Sequence, residues 1–438
     1  METLTWLALG AWLVLATWWW WGMRRLPCLG VDGDGARPSG AAVDGWPRLS
    51  LVVAARDEAE TIEVAMRSWL AQDYPALEIV LVDDRSADGT LTRAEAVLAE
   101  HRAKVVRGAA VGTGSAPAGP RVRLERIDAL PEGWLGKVHA QARGAAVADG
   151  TWLLFADADV RLAPHALRVA MAQALGSRVD HLALLPRFDA PRGVAGALVL
   201  AFETAFALLL TVMVRPWRAP DPRTPTTLGI GAFGLYRREA YERAGGHEAI
   251  RMRPDDDLAL AAAVKRAGGA SLVAFGPTLA VVTWYATLGD ALRGLEKNAF
   301  AGLRFSLPLV VAVVLGLLAT HVLPFLVALL GDGSARAAGV GVVLVVTVVY
   351  AWYGRRAATP AWYALLHPVS VTALVWALLR STALTLRRGG IEWRGRRYPL
   401  AELRAAAQVE RRDAVAPRSA PGATARRGSD QTRNRPRT

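Results

Sequence analysis

The chain has 438 residues, 53% of them hydrophobic, a mean hydropathy of +0.22 and a formal net charge of +13. That length holds one sizeable α/β domain plus membrane segments, and the apolar share is high for a soluble chain. A single cysteine, Cys28, excludes an intramolecular disulfide framework. Much of the excess positive charge lies in the tail Arg404–Thr438 and beside apolar runs, without an aromatic-basic platform or recognition-helix pattern. This excludes nucleic acid and points to anionic lipid headgroups.

At the amino terminus, Leu4 to Met23 is apolar over a length that crosses a bilayer as a helix. Trp18, Trp19, Trp20 and Trp21 end it, where indole rings favour the interface, and Arg24-Arg25 follow. A cleaved signal peptide needs a basic start and a small-residue cleavage site, and neither is present. Residues 1–25 are therefore expected to form an uncleaved anchor, with the following domain on the cytoplasmic side. Residues 26–48, rich in Gly, Pro and Asp, read as a linker.

From Leu49 the pattern alternates between strand and helix. Leu49–Ala54 is an apolar strand, Glu58–Leu70 a helix and Leu77–Val82 a second strand, with Asp88-Gly89-Thr90 opening the next helix. Such alternation predicts a mainly parallel, Rossmann-like α/β sheet, in which ligands bind beyond the carboxyl ends of the strands. Asp83, Asp84, Asp157 and Asp159 all fall there. The small-residue loop Gly108–Pro120 carries no assigned function. Val194–Val214 is again of membrane length but contains Glu203. Were it to span, Asp159 and Asp257 would face opposite sides of the bilayer, so it is expected to lie on or partly in the membrane surface.

Gly289–Ser306 places Leu292, Leu295, Ala299, Phe300 and Leu303 at helical spacing, as an amphipathic lead-in. Leu307–Leu330, Val340–Tyr353 and Trp362–Leu386 are hydrophobic segments, the last broken at His367-Pro368. Three crossings would put the basic Arg387-Arg388 and Trp393–Tyr398 outside, against the positive-inside rule, so one of the three is expected to be re-entrant or surface-bound. Residues 306–388 thus form the carboxyl-terminal membrane region, and 389–438 a basic, largely disordered tail.

Two acidic clusters carry the chemistry. Asp157-Ala158-Asp159 follows the apolar strand Trp152–Ala156 and precedes Pro164 and a helix. Carboxylates at i and i+2 off a buried strand repel unless a cation or substrate offsets them, and a divalent ion bridging them to a diphosphate would do so. Asp255-Asp256-Asp257 heads the helix from Leu258 to Arg266. An acidic first turn suits the helix dipole, but three adjacent carboxylates exceed what capping needs, so one is assigned as a general base toward an acceptor hydroxyl. Asp83 and Asp84 suit hydrogen bonds to a base or ribose. Lys137, on the Gly-flanked turn Gly133–Lys137, suits a phosphate or nucleotide contact.

Residues 49–305 resemble a family 2 glycosyltransferase domain of the GT-A fold. The likeness runs through Val53-Ala-Ala-Arg-Asp-Glu58, Ile79–Thr90, Gly136-Lys137, Asp157-Ala-Asp159, Gly229–Arg238, Asp256–Leu260 and Lys265-Arg-Ala-Gly268. The flanking helices, Tyr285–Leu288 and Trp393–Tyr398 are most similar to the hopanoid-associated and carotenoid-type membrane members. This resemblance implies inverting transfer from a nucleoside-diphosphate sugar to a hydroxyl, with a lipid acceptor, at the inner membrane. It places Asp83, Asp84, Lys137, Asp157, Arg56 and Glu58 on the donor, and Asp157 and Asp159 on Mg²⁺ or Mn²⁺. Asp256-Asp257 falls on the family's Glu-Asp base motif, with Asp257 as base. Processive members carry Gln-x-x-Arg-Trp after the base, whereas Leu295–Arg304 lacks it, which favours addition of a single sugar. A processive synthase and a non-catalytic membrane scaffold are the competing readings.

Overall fold

The computed structural model describes residues 2–30, 45–110, 119–296, 299–393 and 396–404. Most of the linker, most of the Gly108–Pro120 loop and the tail beyond residue 404 lie outside these residues. The α/β part is built on β1 (Leu49–Ala55), β2 (Leu77–Asp84), β3 (Arg121–Ile127) and β4 (Trp152–Asp157). Two short strands, β5 (Arg161–Leu162) and β7 (Arg187–Phe188), flank β6 (His181–Leu185); β8 (Gly234–Arg237), β9 (Ser271–Phe275) and β10 (Ala280–Val282) follow. Seven of these make one sheet in the order β3-β2-β1-β4-β8-β6-β9.

β1 runs parallel to β2 and β4, with Leu51 opposite Ile79 and Leu154. β8 is antiparallel to β4 and β6, so the expected mainly parallel sheet carries one reversed strand. Its side chains divide by the two-residue period of a pleated strand. Leu49, Leu51 and Val53 face helices α2 (Ile62–Leu70), α3 (Thr90–Ala110) and α5 (Ala166–Gly176). Val52 faces the other way, toward α4 (Gly136–Val147) and α8 (Asp256–Arg266), with α7 (Arg238–Arg243) beside them.

Two boundaries differ from expectation for physical reasons. Helix α2 begins at Ile62 rather than Glu58, after a turn in which the Glu58 carbonyl accepts from the Thr61 and Ile62 N–H groups. The Glu58 N–H donates to Thr90 Oγ1 at 2.8 Å and the Ala59 N–H to Asp88 Oδ2 at 2.9 Å. Asp57 meanwhile takes a left-handed φ of 55°. Strand β2 runs on to Asp84 because the ladder to β3 continues through Asp83↔Arg126 and Asp84↔Ile127. The two carboxylates are thereby locked into the sheet instead of a loop.

Among the described residues, five helices are long and apolar enough to cross a membrane: α1 (Glu2–Met23), α6 (Val194–Val214, continued to residue 218), residues 307–330, α13 (Gly333–Ala357) and residues 361–388. The third comprises α11 (Leu307–Leu317), a π turn and α12 (Leu323–Leu330); the fifth contains α14 (His367–Arg388), with Pro368 in its first turn. Between them, α9 (Leu288–Leu295) and α10 (Ala299–Gly302) occupy the expected lead-in. Helix α1 packs on α13, and α6 packs on α14. Trp12 Nε1 donates to the Thr320 carbonyl at 2.8 Å, and Trp19 Nε1 to Thr211 Oγ1 at 2.9 Å. Inside the bundle His367 accepts and donates between His321 and Tyr350, each at 2.9 Å.

The carboxyl ends of the membrane helices return to the α/β part. Arg356 donates to the Leu26 carbonyl at 2.9 Å, just after α1, while Arg380 and Arg388 pair with Glu296 at 3.3 and 3.0 Å. Beyond α14, β11 (Gly390–Trp393) and β12 (Arg396–Pro399) form a hairpin, and Leu403 packs against the α4–α8 core.

Trp69 ties the core on the α2, α3 and α5 face of the sheet to the acidic turn. Its ring is fully buried, and Nε1–H donates to the carbonyl of Val160 at 2.8 Å. Trp69→Phe is expected to keep most of the packing and lose about 1–3 kcal/mol by stranding that buried carbonyl. Chemical denaturation of the detergent-purified protein measures this, and an unchanged midpoint would contradict it.

Candidate active site

The carboxyl ends of β1, β2 and β4 present the acidic residues at one edge of the sheet. Asp84, almost fully buried, accepts from Arg85 Nε at 2.8 Å and lies 3.9 Å from an Arg56 nitrogen. One oxygen of Asp83 and one of Asp84 are buried without a hydrogen-bond donor. Buried acceptors of that kind are costly unless a ligand or water satisfies them. Gly136, at the start of α4, is required here, because a Cβ would lie 2.4 Å from Asp84 Oδ2.

The next residue brings the two acidic clusters together. Lys137 Nζ lies 2.7 Å from Asp157 Oδ1 and 3.1 Å from Asp256 Oδ2. Burial alone would lower this ammonium, but Asp157, Asp256 and Asp257 outweigh it and hold it well above the usual lysine range. Asp257 stands beside Asp256 on the first turn of α8, with Oδ2 accepting from the Gly231 N–H at 2.9 Å. Burial, then the Asp256 charge, raises its carboxyl, against the pull of Lys137. Asp255 is turned aside and gripped by Arg253 at 2.7 Å. The triple-aspartate run thus divides between one structural ion pair and two residues that meet Lys137 and the Gly231 backbone.

Asp159 is half-buried, and burial, followed by Asp157 and Glu58, pushes its carboxyl up to about 7. Glu58 takes a hydrogen bond from Thr61 Oγ1 at 3.1 Å while it bears on Asp159 electrostatically. Among the described residues no three His, Cys, Asp or Glu side chains are grouped to hold a metal ion unaided. Two carboxylates completed by diphosphate oxygens are nevertheless a normal donor set for a small divalent cation. The crowding of negative charge at Asp159 is what such an ion would relieve, so Asp157 and Asp159 fit the role.

Sequence reasoning placed Gly229–Arg238 among the family motifs but missed that its backbone joins these stations. The stretch from Gly229 to Gly231 runs between them: the Asp157 N–H donates to the Gly231 carbonyl at 3.0 Å, while the Gly231 N–H holds Asp257. A Cβ on Gly231 would lie 2.6 Å from Asp157 Oδ2, and one on Gly229 would lie 1.8 Å from the Asp257 carbonyl. The G-x-G spacing in an otherwise apolar run is the signal that could have shown it. A second missed feature is aromatic. Trp284, half-buried, stacks on Phe188 at 5.7 Å and meets Phe206 of α6 at 5.1 Å. It follows β10, which pairs with β5, the short strand that begins just after Asp159. The buried Glu203 of α6 accepts from the Tyr285 N–H at 3.1 Å and fixes this turn.

The sheet and its helices have the GT-A glycosyltransferase fold. A solved mannosyltransferase from Pyrobaculum calidifontis, in complex with GDP-Man and Mn²⁺, superposes with a TM-score of 0.51 at 19% identity, covering 86% of this chain and 98% of that one. The glycosyltransferase-like family 2 pattern matches residues 47–302, and the chain belongs to that family of transferases. Among curated proteins, a 4,4'-diaponeurosporenoate glycosyltransferase of Staphylococcus aureus (strain bovine RF122 / ET3-1) is 24% identical over 365 residues, 81% of this chain and 89% of that protein. The succinoglycan biosynthesis protein ExoO of Rhizobium meliloti (strain 1021) is 32% identical over 140 residues, and the match spans 33% of its length.

The glycine geometry orders three substitutions by stability. Gly229→Ala meets backbone and should destabilise most; Gly231→Ala meets a side-chain end and should lose about 1–3 kcal/mol from overpacking. Gly302→Ala meets open space and should melt like wild type. Thermal melts of the three purified variants check the order, and a wild-type melt for Gly229→Ala would refute it.

Proposed function

We propose that this transferase moves a single sugar, with inversion, from a nucleoside-diphosphate sugar to the hydroxyl of a membrane lipid of hopanoid or carotenoid type. The observation that carries this reading is Lys137, which contacts Asp157 and Asp256 together and so unites donor and base motifs. The unsatisfied oxygens of Asp83 and Asp84 suit hydrogen-bond donors of base and ribose, with Arg56 alongside. A divalent ion such as Mg²⁺ or Mn²⁺, when bound at Asp157 and Asp159, supplies charge neutralisation for the nucleotide leaving group. Glu58, bearing on Asp159, belongs to the same donor side.

Asp257 takes the proton of the acceptor hydroxyl as that oxygen attacks the anomeric carbon from the face opposite the leaving phosphate. The bond from anomeric carbon to diphosphate oxygen breaks, and a single displacement inverts the centre. A base raised by burial and a neighbouring Asp256 is better matched to neutral pH than a free aspartate. Lys137, held protonated, offers its charge to the departing diphosphate.

The acceptor side faces the membrane. Apolar residues Ile230 and Leu258, next to Gly231 and Asp257, pack in one cluster with Phe188 and with Ala197, Leu200 and Ala201 of α6. A lipid lying along α6 would reach Asp257 past Trp284. Helix α6 lies between Asp157 and Asp256 in the chain, yet these residues share Lys137, so α6 enters and leaves on one face. The basic ends Arg24-Arg25, Arg355-Arg356 and Arg387-Arg388 sit on the side of the α/β part, which supports a cytoplasmic assignment of that side by the positive-inside rule. On this topology α1, residues 307–330 and α13 cross the inner membrane, and residues 361–388 are re-entrant. The domain then spans residues 49–305, between the anchor at 1–25 with its linker and the membrane region at 306–388.

Asp257→Asn should lower sugar transfer by about 10²–10⁴-fold, the range of a lost general base, while leaving UDP or GDP binding unchanged. Radiolabelled nucleotide sugars with membrane lipid extract give the first quantity and calorimetry the second. Near-normal transfer would remove Asp257 as the base, and a ladder of products would favour a processive synthase. Trp284→Ala should cut transfer to lipid by roughly tenfold, the loss of one aromatic contact, with nucleotide affinity retained. Weakened nucleotide binding with unchanged lipid transfer would place Trp284 on the donor side instead.

A further inference from the structure

We propose that Lys137 is the resident counter-ion of the divalent-cation station, so that a metal ion binds firmly only once a donor diphosphate has drawn the lysine away. This deepens the reading of Asp157 and Asp159 as metal-holding residues and rests on it. The ammonium is in direct contact with Asp157, one of those two residues, at 2.7 Å. Its second contact, Asp256, belongs to the base cluster, and its charge is felt by Asp159 and Asp257 as well. The nearby arginines are engaged elsewhere: Arg56 and Arg85 lie against Asp84, and Arg253 against Asp255.

A monovalent ammonium and a divalent ion cannot both sit against Asp157 without strong mutual repulsion. The lysine therefore competes with the ion in the absence of substrate. Its stem is long and roughly a third exposed, so the ammonium can swing, whereas its backbone is pinned beside Gly136 against Asp84. A diphosphate brings negative charge that the freed ammonium can meet, and oxygens that complete the coordination of a small divalent cation. Metal and nucleotide should then each strengthen the other's binding by the same factor, since linkage is reciprocal. The four carboxylates remain compensated at every stage, either by the lysine or by the ion.

The test is a Mn²⁺ titration of the detergent-purified full-length protein, read from the electron paramagnetic resonance signal of the free ion. UDP and GDP serve as diphosphate probes. Wild-type protein should bind Mn²⁺ weakly alone and roughly tenfold more tightly with saturating UDP or GDP, within the usual range of coupling between sites. Lys137→Met should bind Mn²⁺ alone roughly tenfold more tightly than wild type and lose most of the nucleotide enhancement. Lys137→Arg, which keeps the charge, should behave like wild type. Should Lys137→Met not survive purification, Lys137→Gln carries the same readout. Equal Mn²⁺ affinity in wild type and the neutral variant overturns the inference while leaving the metal station intact. Absence of Mn²⁺ binding in every variant, with or without nucleotide, overturns the metal station itself.

Discussion

Crowded negative charge at the end of a parallel sheet is the constraint around which this protein is organised. Asp157 and Asp159 stand at one strand terminus and Asp256 and Asp257 at one helix start; behind burial, the Asp157 charge raises the carboxyl of Asp159, and the Asp256 and Asp157 charges raise that of Asp257. Left alone they would force the cleft apart or bind protons. Lys137 bridges the two clusters, and the Gly231 backbone holds one member of each from the other side. A side chain at Gly231 would fill the space that Asp157 occupies, so the peptide unit alone can serve there. Opposite charge at close range and an exposed backbone N–H therefore do together what neither could do separately.

The same acidic group borders the apolar half of the molecule through Ile230 and Leu258. Helix α6 contributes buried residues to a cluster that reaches Leu258 beside Asp257 and Phe275 in the sheet. Glu203 is buried on this helix, and its one oxygen secures the Tyr285 backbone under the aromatic group formed by Phe188, Phe206 and Trp284. A carboxylate in an otherwise apolar helix is a polar anchor between the apolar helices and the α/β part. At the end of the bundle nearest the α/β part, Glu296 collects Arg380 and Arg388, and the chain turns back to pack Leu403 on the α4–α8 core. The α/β part is thus clasped by helices that precede it and follow it in the chain.

The linear pattern was informative wherever a local period decides structure. The apolar runs of β1, β2 and β4, the acidic pairs at their ends and the length of Val194–Val214 were all legible in this way. Boundaries failed where tertiary bonds compete with local preference. Residues 58–61 have helical composition, but they form a turn tied to the start of α3 through the Glu58 and Ala59 N–H groups, which donate to Thr90 and Asp88. The reversed direction of β8 was not legible either, because a four-residue apolar strand carries no mark of the neighbour it pairs with.

What the chain determined by itself was chemistry and class: carboxylates at strand ends, membrane-length helices, and a motif order that places it in its family, since these depend on residue type and spacing along one dimension. What tertiary structure decided was which of those carboxylates meet. Asp255, Asp256 and Asp257 are chemically identical neighbours, yet the turn into α8 sends Asp255 to Arg253 and the other two to the cleft. Trp284 and Phe188 are likewise far apart in the chain and stack because β7 and β10 pair. Side-chain direction and long-range pairing are set by packing in three dimensions, which residue order alone does not encode locally.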